Sequence, residues 1–456
     1  MVRSTKTQYP GPRTPHPALT VRLASLLVTL AFASPLAACG GGERAAEAAG
    51  GPVRLVYWTS QNPQERTVAD TLVGRWNRLH PDVQVVVQPI PAGQSSEEVL
   101  LASVVAGTTP DICSNIAPAA LHDLTRAGGV LPLDRMPGFD SLLAARVPPE
   151  LAERFRSPDG RFYQLPWKTN PILMMVNPAM LEAAGVTRVP RTYSEFLAAA
   201  GRVTQDTDGD GRTDRWMGAR DIRPVWWQRT FDVFPLYVAA SGGQTFFDAQ
   251  GALAIDDAAL AGVLGFFQTL YARGYFPRST LQGNAFAQGR VATDFTGPWT
   301  IGWLAENAPD VPVDFAPVPV PDDTPIGAGP PPTYGDYKNI ALFASTRHPR
   351  EAWAFARFLV SPEADRLLLE TTRQIPIRRG LLTDPLLAPF FDANPAMRRF
   401  AEQAAATRGV DAVPNLPETL DAVAQGYERA VYGVETPAEA VASTRARIGV
   451  LQAWAR

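Results

Sequence analysis

Val53-Arg54-Leu55-Val56-Tyr57-Trp58 is a β-rich extended run, the first member of an alternating series that decides the fold. From Gln64 to Leu79 the apolar residues Val68, Leu72, Trp76 and Leu79 recur at helical spacing, which predicts one buried helix face. His80-Pro81-Asp82 stops that helix. Val83 to Gln88 then alternates apolar and polar residues as a second strand. A helix from Glu97 to Ala106 and a short strand at Asp111-Ile112-Cys113 complete the pattern. Strands that alternate with helices pair in parallel through crossovers, so the expectation is an α/β domain.

The theme returns further along. Leu173-Met174-Met175-Val176 reads as a buried strand, and Asn177-Pro178 caps and opens a helix that Gly185 ends. Thr192 and Glu195 have the spacing of a capping box. Ser361-Pro362-Glu363 opens a helix directly after the one that carries Trp353 and Leu359. The proline-rich span from Pro309 to Pro332 is unsuited to helix and is expected to be an extended surface connection.

The N-terminus has a different character. Arg3, Lys6, Arg13 and Arg22 precede an uncharged apolar stretch, Leu23 to Leu36, which falls short of the roughly 20 residues a membrane-spanning helix needs. This is the layout of a secretory signal. Its end, Leu36-Ala37-Ala38-Cys39, resembles the bacterial lipobox, in which the cysteine is lipidated and becomes the first mature residue. Residues 1–38 are therefore expected to be a lipoprotein signal peptide. Residues 39–52, rich in glycine and small residues, are expected to be a flexible tether. The protein should then work outside the cytoplasmic membrane, lipid-anchored through Cys39 in the periplasm or at the cell surface.

Composition narrows the partners. The chain has 42 Lys+Arg against 45 Asp+Glu, and loss of the signal would remove four cations and no acid. That balance argues against nucleic acid, which needs basic stripes. With Cys39 lipidated, only Cys113 remains, so no internal disulfide forms and the fold must rely on its core. Signatures of catalysis are missing: no Gly-x-Ser-x-Gly elbow, no His-Glu-x-x-His and no phosphate loop. The expectation is a binding protein, not an enzyme.

Several local words, in order and at consistent spacing, carry a family resemblance. They are Gly107-Thr108-Thr109-Pro110-Asp111-Ile112, Asp159-Gly160-Arg161-Phe162-Tyr163-Gln164-Leu165-Pro166-Trp167, Pro190-Arg191-Thr192-Tyr193-Ser194-Glu195, Gly297-Pro298-Trp299, and Glu351-Ala352-Trp353 through Ser361-Pro362-Glu363-Ala364. Together the chain resembles the extracellular solute-binding proteins of ABC importers, in the group that includes maltose-binding protein. The resemblance implies a periplasmic-binding-protein fold of type II, with two α/β lobes closing over a ligand. Three crossings are implied near Pro166–Asn170, Tyr334–Lys338 and Leu359–Pro362. The N-terminal lobe is then expected at 53–167 with 339–360, and the C-terminal lobe at 168–338 with 361–456. It further implies a monomer that delivers a sugar or small oligosaccharide to ABC permease subunits in the membrane.

Sugars offer a rim of hydroxyls and an apolar face, so polar side chains and flat rings are the groups to seek. By similarity Trp299 carries a stacking indole, and Trp226-Trp227 with Phe231 lie where the relatives place another aromatic contact. Ser60, Gln61 and Asn62 follow the first strand, at the end where open α/β sheets bind ligands, and Asn115 follows the third. Lys168 and Asn170 lie at the first crossing, Asp336 and Lys338 at the second. The resemblance breaks at Pro414-Asn415-Leu416-Pro417. Asp421-Ala422-Val423-Ala424 stands where maltose-binding relatives carry an aromatic pair, which argues against maltose and against a long stacked glucan.

The sequence leaves other readings open. The same fold could hold a polyol or a glycerol phosphoester, serve a signalling receptor as a sensor subunit, or form an exported carbohydrate-active enzyme. Asp206, Asp208, Asp210 and Asp214 occupy positions 1, 3, 5 and 9 of a calcium loop, with Gly211 at position 6. Position 12 is Met217, so a calcium site there needs other groups to complete it, and a plain Asp/Gly turn is the alternative. No cofactor is expected to be obligatory.

Overall fold

The computed structural model describes residues 51–454, apart from Gln94, Ala249, Ala328 and Ala412. The signal peptide, Cys39 and nearly all of the tether lie outside the described residues. The strands, in chain order, are β1 (Val53–Thr59), β2 (Val83–Pro89), β3 (Ile112–Ile116), β4 (Leu165–Thr169), β5 (Leu173–Val176), β6 (Thr293–Thr296), β7 (Asp314–Ala316), β8 (Thr333–Tyr334), β9 (Lys338–Leu342), β10 (Ile375–Pro376) and β11 (Thr407–Arg408). Six of them form a mixed sheet in the order β10-β4-β9-β3-β1-β2, and β6-β5-β7 form a smaller antiparallel one. Two α/β lobes are built on these two sheets.

The first sheet has cores on both faces because its strands alternate. Leu55 and Tyr57 on β1 join the cluster that contains Val68, Leu72 and Trp76 of the helix Pro63–Leu79. Trp58, next along the strand and facing the other way, joins Cys113, Ile116 and Phe343. Asn62 caps the helix by accepting from the Gln64 and Glu65 amides, and Pro63 fits its first turn, where an N–H is not needed. Leu79 departs from the expected face: at the helix C-terminus it is 67% exposed. Burial pushes the Cys113 thiol well above its ordinary value, in keeping with a core residue.

The crossing strands are shaped by two bulges. Between Cys113 and Ile116 on β3 the register against β9 slips by one residue, and between Pro166 and Lys168 on β4 it slips again. Asn115 lies in the first bulge with φ 66°, a left-handed conformation that asparagine tolerates better than most residues. These slips flank the start of β9, so they set where Asn115, Lys168 and Lys338 stand.

One boundary differs from the expectation. Residues 362–377 pack largely on the first sheet, with only Leu369 and Ile375 reaching the cluster of Leu173, Met175 and Phe315 in the second lobe. Pro376 pairs with Lys168 in β10–β4, while Ala364, Leu368 and Ile377 join the core around Leu72. A buried ion pair fixes the arrangement, with Arg146 Nη2 2.9 Å from Asp365 Oδ1. The same guanidinium donates to the carbonyls of Trp167 and Val360, so one side chain binds two crossings and the helix Pro362–Thr372 together. The sequence offers no contiguous pattern for such a contact, because Arg146 and Asp365 lie far apart in the chain. The second lobe is built around helices Tyr193–Val203, Asp257–Ala272 and Leu416–Val431, whose apolar faces meet in one cluster with Phe234, Phe267 and Tyr427.

Candidate functional site

The residues expected to meet a ligand fall into two groups. The first is a buried polar network. Lys168 Nζ lies 2.7 Å from Glu65 Oε1, and both side chains are nearly inaccessible to water. Asn115 donates its amide to the other Glu65 oxygen, Gln374 donates to Glu65 Oε1 at 2.7 Å, and Asn170 donates to Gln374 at 3.2 Å. Burial alone would raise the Glu65 pKa, but the Lys168 ammonium with the Asn115 and Gln374 amides outweighs it and holds the group at about 2. Lys168 also lies 4.4 Å over the Trp167 ring. Lys168, Asn115 and Asn170 thus help to join the first helix, β3 and the first crossing, apart from the aromatic cavity, and Asn170 Oδ1 keeps unused hydrogen-bonding capacity. Ser60 and Gln61 are also engaged locally: Ser60 accepts from the Asn62 amide and Gln61 donates to the Ile90 carbonyl.

The second group surrounds a cavity of about 190 Å³. Glu97, Ala117 and Pro118 face it from the first lobe; Trp226, Trp227 and Phe231 face it from the second; Tyr334, Asp336 and Lys338 come from the crossing between them. Elsewhere, a hollow of about 500 Å³ is lined by Trp76, Phe358 and other residues of the first lobe only. Another of about 280 Å³ around residues 376–383 has no aromatic wall. Neither combines two lobes with aromatic faces, so size is a poor guide here and the smaller cavity is the candidate site.

Each wall has a local cause. Trp226 and Trp227 stand on a single tight turn, Trp226–Thr230, and are 38% and 51% exposed. Arg229, fully buried, holds that turn: it pairs with Asp232 at 3.0 Å and its guanidinium lies 4.0 Å over the Tyr427 ring. Trp299 meets Phe231 edge-to-face at 5.8 Å, and Phe231 meets Tyr334 the same way at 6.1 Å, which extends the aromatic wall away from the cavity. Gly297 is required for this, since a Cβ there would lie 2.1 Å from the Trp299 ring, which folds back across it. Lys338 Nζ is 3.1 Å from Asp336 Oδ1, which also accepts from the Tyr334 hydroxyl at 3.3 Å. Burial alone would lower the Lys338 pKa, but Asp336 and Glu97 beside it hold it above its ordinary value.

Of the expected ligand residues, Trp227, Phe231 and Asp336 share the cavity wall and Trp299 adjoins it through Phe231. Glu65, Gln374, Glu97 and Tyr334 were not expected. Glu65 had a readable signal, since it lies one helical turn before Val68 on the same stripe and so puts a charge on a buried face. Glu97 had none beyond its place in a helix first turn.

The loop at 206–214 lies apart from this chemistry. Asp206, Asp208 and Asp210 bring carboxylate oxygens within 4.8 Å of one another, all exposed. Asp206 accepts from the Gly209 and Gly211 amides, and Asp214 accepts from the Thr207 amide and hydroxyl. Met217 is buried in the second lobe's core, so position 12 supplies no oxygen.

Residues 61–366 match the family model described as bacterial extracellular solute-binding protein. The chain belongs to that family. Curated relatives include a maltotriose-binding protein of Pyrococcus abyssi, 25% identical over 345 residues that make up 74% of this chain and 70% of that one. A binding protein of Brucella abortus is 22% identical over 74% of this chain and 78% of its own. Among solved structures, an uncharacterized protein of Listeria monocytogenes aligns with a TM-score of 0.79 at 26% identity, covering 88% of this chain and all of that one. The cyclic α-maltosyl-1,6-maltose binding protein of Arthrobacter globiformis aligns at 0.75 and 21%, covering 88% and 99%. The family is extracellular, and among the described residues no helix is long and apolar enough to cross a membrane.

Proposed function

We propose that the chain is the sugar-binding receptor of an ABC importer, held outside the cytoplasmic membrane by lipid on Cys39. The observation that carries the reading is the two-lobed cavity, in which exposed indoles stand beside a Lys338–Asp336 pair. Flat rings suit the apolar face of a pyranose, and the ion pair offers both donor and acceptor to its hydroxyls. The named relatives of Pyrococcus and Arthrobacter bind gluco-oligosaccharides, which supports a sugar. At about 190 Å³ the cavity is smaller than the roughly 300–1,000 Å³ of ordinary ligand pockets, so the ligand is a small saccharide. Hinge closure over it presents the loaded shape to the permeases, the response expected of two lobes joined by crossing strands. The protein acts as a monomer. A phosphoester fits less well, because the described lining residues include two carboxylates and one cation, Lys338, which is already paired.

Glu97 and Asp336 in one cavity also meet the first condition of an exported glycoside hydrolase, which works with two carboxyl groups across a bond. We infer binding without turnover, since Asp336 is tied to Lys338 and Tyr334. Calcium belongs to the proposal only as a dispensable ligand of the 206–210 carboxylates, because the loop already closes on its own amides.

The test is a melting screen of residues 52–456 against neutral mono- and oligosaccharides, with chromatography of the sugar recovered. A bound sugar raises the melting temperature through RT ln(1 + [L]/Kd) and comes back uncut. Cleaved product would favour the hydrolase, and no shift with any sugar would overturn the receptor. Cys39→Ser should abolish labelling by a fatty-acid probe, and unchanged labelling would refute the anchor.

A further inference from the structure

The charges around the cavity do not balance. Its wall holds three ionised side chains: Glu97, Asp336 and Lys338. Lys338 is matched by Asp336 at 3.1 Å, and the pair behind them, Lys168 with Glu65, is also matched at 2.7 Å. Glu97 is left over. It makes no hydrogen bond or ion pair with any described residue, although it is partly buried and close enough to Lys338 and Tyr334 to bias both electrostatically. Among the described side chains that line the cavity, carboxylates therefore outnumber cations by one, with Arg154 and Arg408 acting only from behind Tyr337. The excess lies among the faces of Trp226, Trp227, Phe231 and Tyr334, and ring faces attract cations.

Resting on the sugar-receptor reading, we propose that the preferred ligand is a saccharide bearing a protonated amine, whose ammonium meets Glu97 while its ring lies on the indoles. An amine placed there satisfies the one unmatched carboxylate, and the aromatic walls strengthen the contact by excluding water. An anionic sugar such as a uronate is disfavoured by the same excess charge. Trp227 supplies the stacking face. Glu97 sets the choice between an amine and a hydroxyl.

The experiment is calorimetric titration of residues 52–456 with matched pairs: glucosamine and glucose, galactosamine and galactose, and deacetylated chitobiose and cellobiose, with glucuronate as the anionic probe. In at least one pair the amine should bind about tenfold or more tightly than its hydroxyl partner, the scale of one charge-assisted hydrogen bond. Glu97→Gln should bring that preference down to about twofold or less. Glu98→Gln, on the neighbouring exposed residue outside the cavity wall, should leave it unchanged. Melting curves of both variants should match the parent, because neither residue is part of the core. Neutral sugars binding as tightly as their amines, tighter binding of glucuronate, or a preference that survives Glu97→Gln would overturn this proposal and leave the sugar receptor standing. No binding by any sugar, charged or neutral, would instead overturn the receptor reading, and this inference with it.

Discussion

Lys168 and Lys338 both stand at strand crossings, and each has a carboxylate within about 3 Å, yet the fold uses them differently. Lys168 has 1% of its side chain exposed and is bound into a network with Glu65, which Asn115 and Gln374 complete. Lys338 has 26% exposed, pairs with Asp336 and faces a cavity beside an unmatched Glu97. The difference comes from what surrounds the ammonium, not from the residue or its strand. Where a charge is closed off from water and paired inside the protein, it joins elements together. Where the partners leave capacity over and an aromatic face is open, the same charge can meet a ligand. The distinction predicts opposite phenotypes for the two lysines.

The largest effect should come from breaking the buried pair. Lys168→Met or Glu65→Gln leaves its partner buried and uncompensated, which costs about 3–5 kcal/mol of stability, measurable by urea unfolding. Lys338→Met should cost clearly less than that, because its pair keeps contact with solvent at 26% and 21% exposure, while weakening sugar binding. If the two lysines destabilise equally, the contrast between scaffold and site fails. The pH dependence sharpens the point. Glu65 is held at about 2 against an ordinary 4.5, so its contribution is complete above about 4.5 and is lost as pH falls through about 2. Acid unfolding should lose part of its slope in that window in Glu65→Gln. An unchanged slope would show that the network does not hold the carboxylate.

The same line divides what is legible in the sequence from what is not. Periodicity and punctuation expose the strands, the helix after β1 and the cap at Asn177, because those depend on neighbours in the chain. The ordered words around Asp159–Trp167 and Gly297–Trp299 expose the family. The network around Lys168 is not legible, since Glu65, which pairs with it, and Asn115 and Gln374, which donate to Glu65, come from segments that meet only in the fold, aimed there by two register slips. For the same reason the helix Pro362–Thr372 is expected in the second lobe but packs on the first sheet: its ion pair with Arg146 spans 219 positions. Trp227 and Trp299 can be picked out only through the family resemblance, which implies aromatic contacts at both places. That Phe231 joins the Trp299 ring to the cavity wall cannot.

The smallest effect is expected at the 206–214 loop. Its carboxylates accept from their own backbone amides, so chelation should move the melting temperature by no more than about 1 °C, the shift that about 1 kcal/mol produces in a body of this size. A larger fall, abolished by Asp206→Ala, would make calcium a structural part of the second lobe.

The most direct test of a ligand site in the interlobe cavity is Trp227→Ala, with Trp353→Ala as its counterpart. Trp227 is half exposed on the cavity wall, while Trp353 is buried and donates its indole N–H to the Pro137 carbonyl. For each variant, sugar affinity is measured by calorimetry and stability by thermal melting. Trp227→Ala should lose about 1–3 kcal/mol of sugar binding, the range for an aromatic contact, with its melting curve unchanged. Trp353→Ala should lose about 3–5 kcal/mol of stability. A Trp227→Ala protein that melts like the parent and binds sugar as tightly would contradict the account and move the ligand out of this cavity.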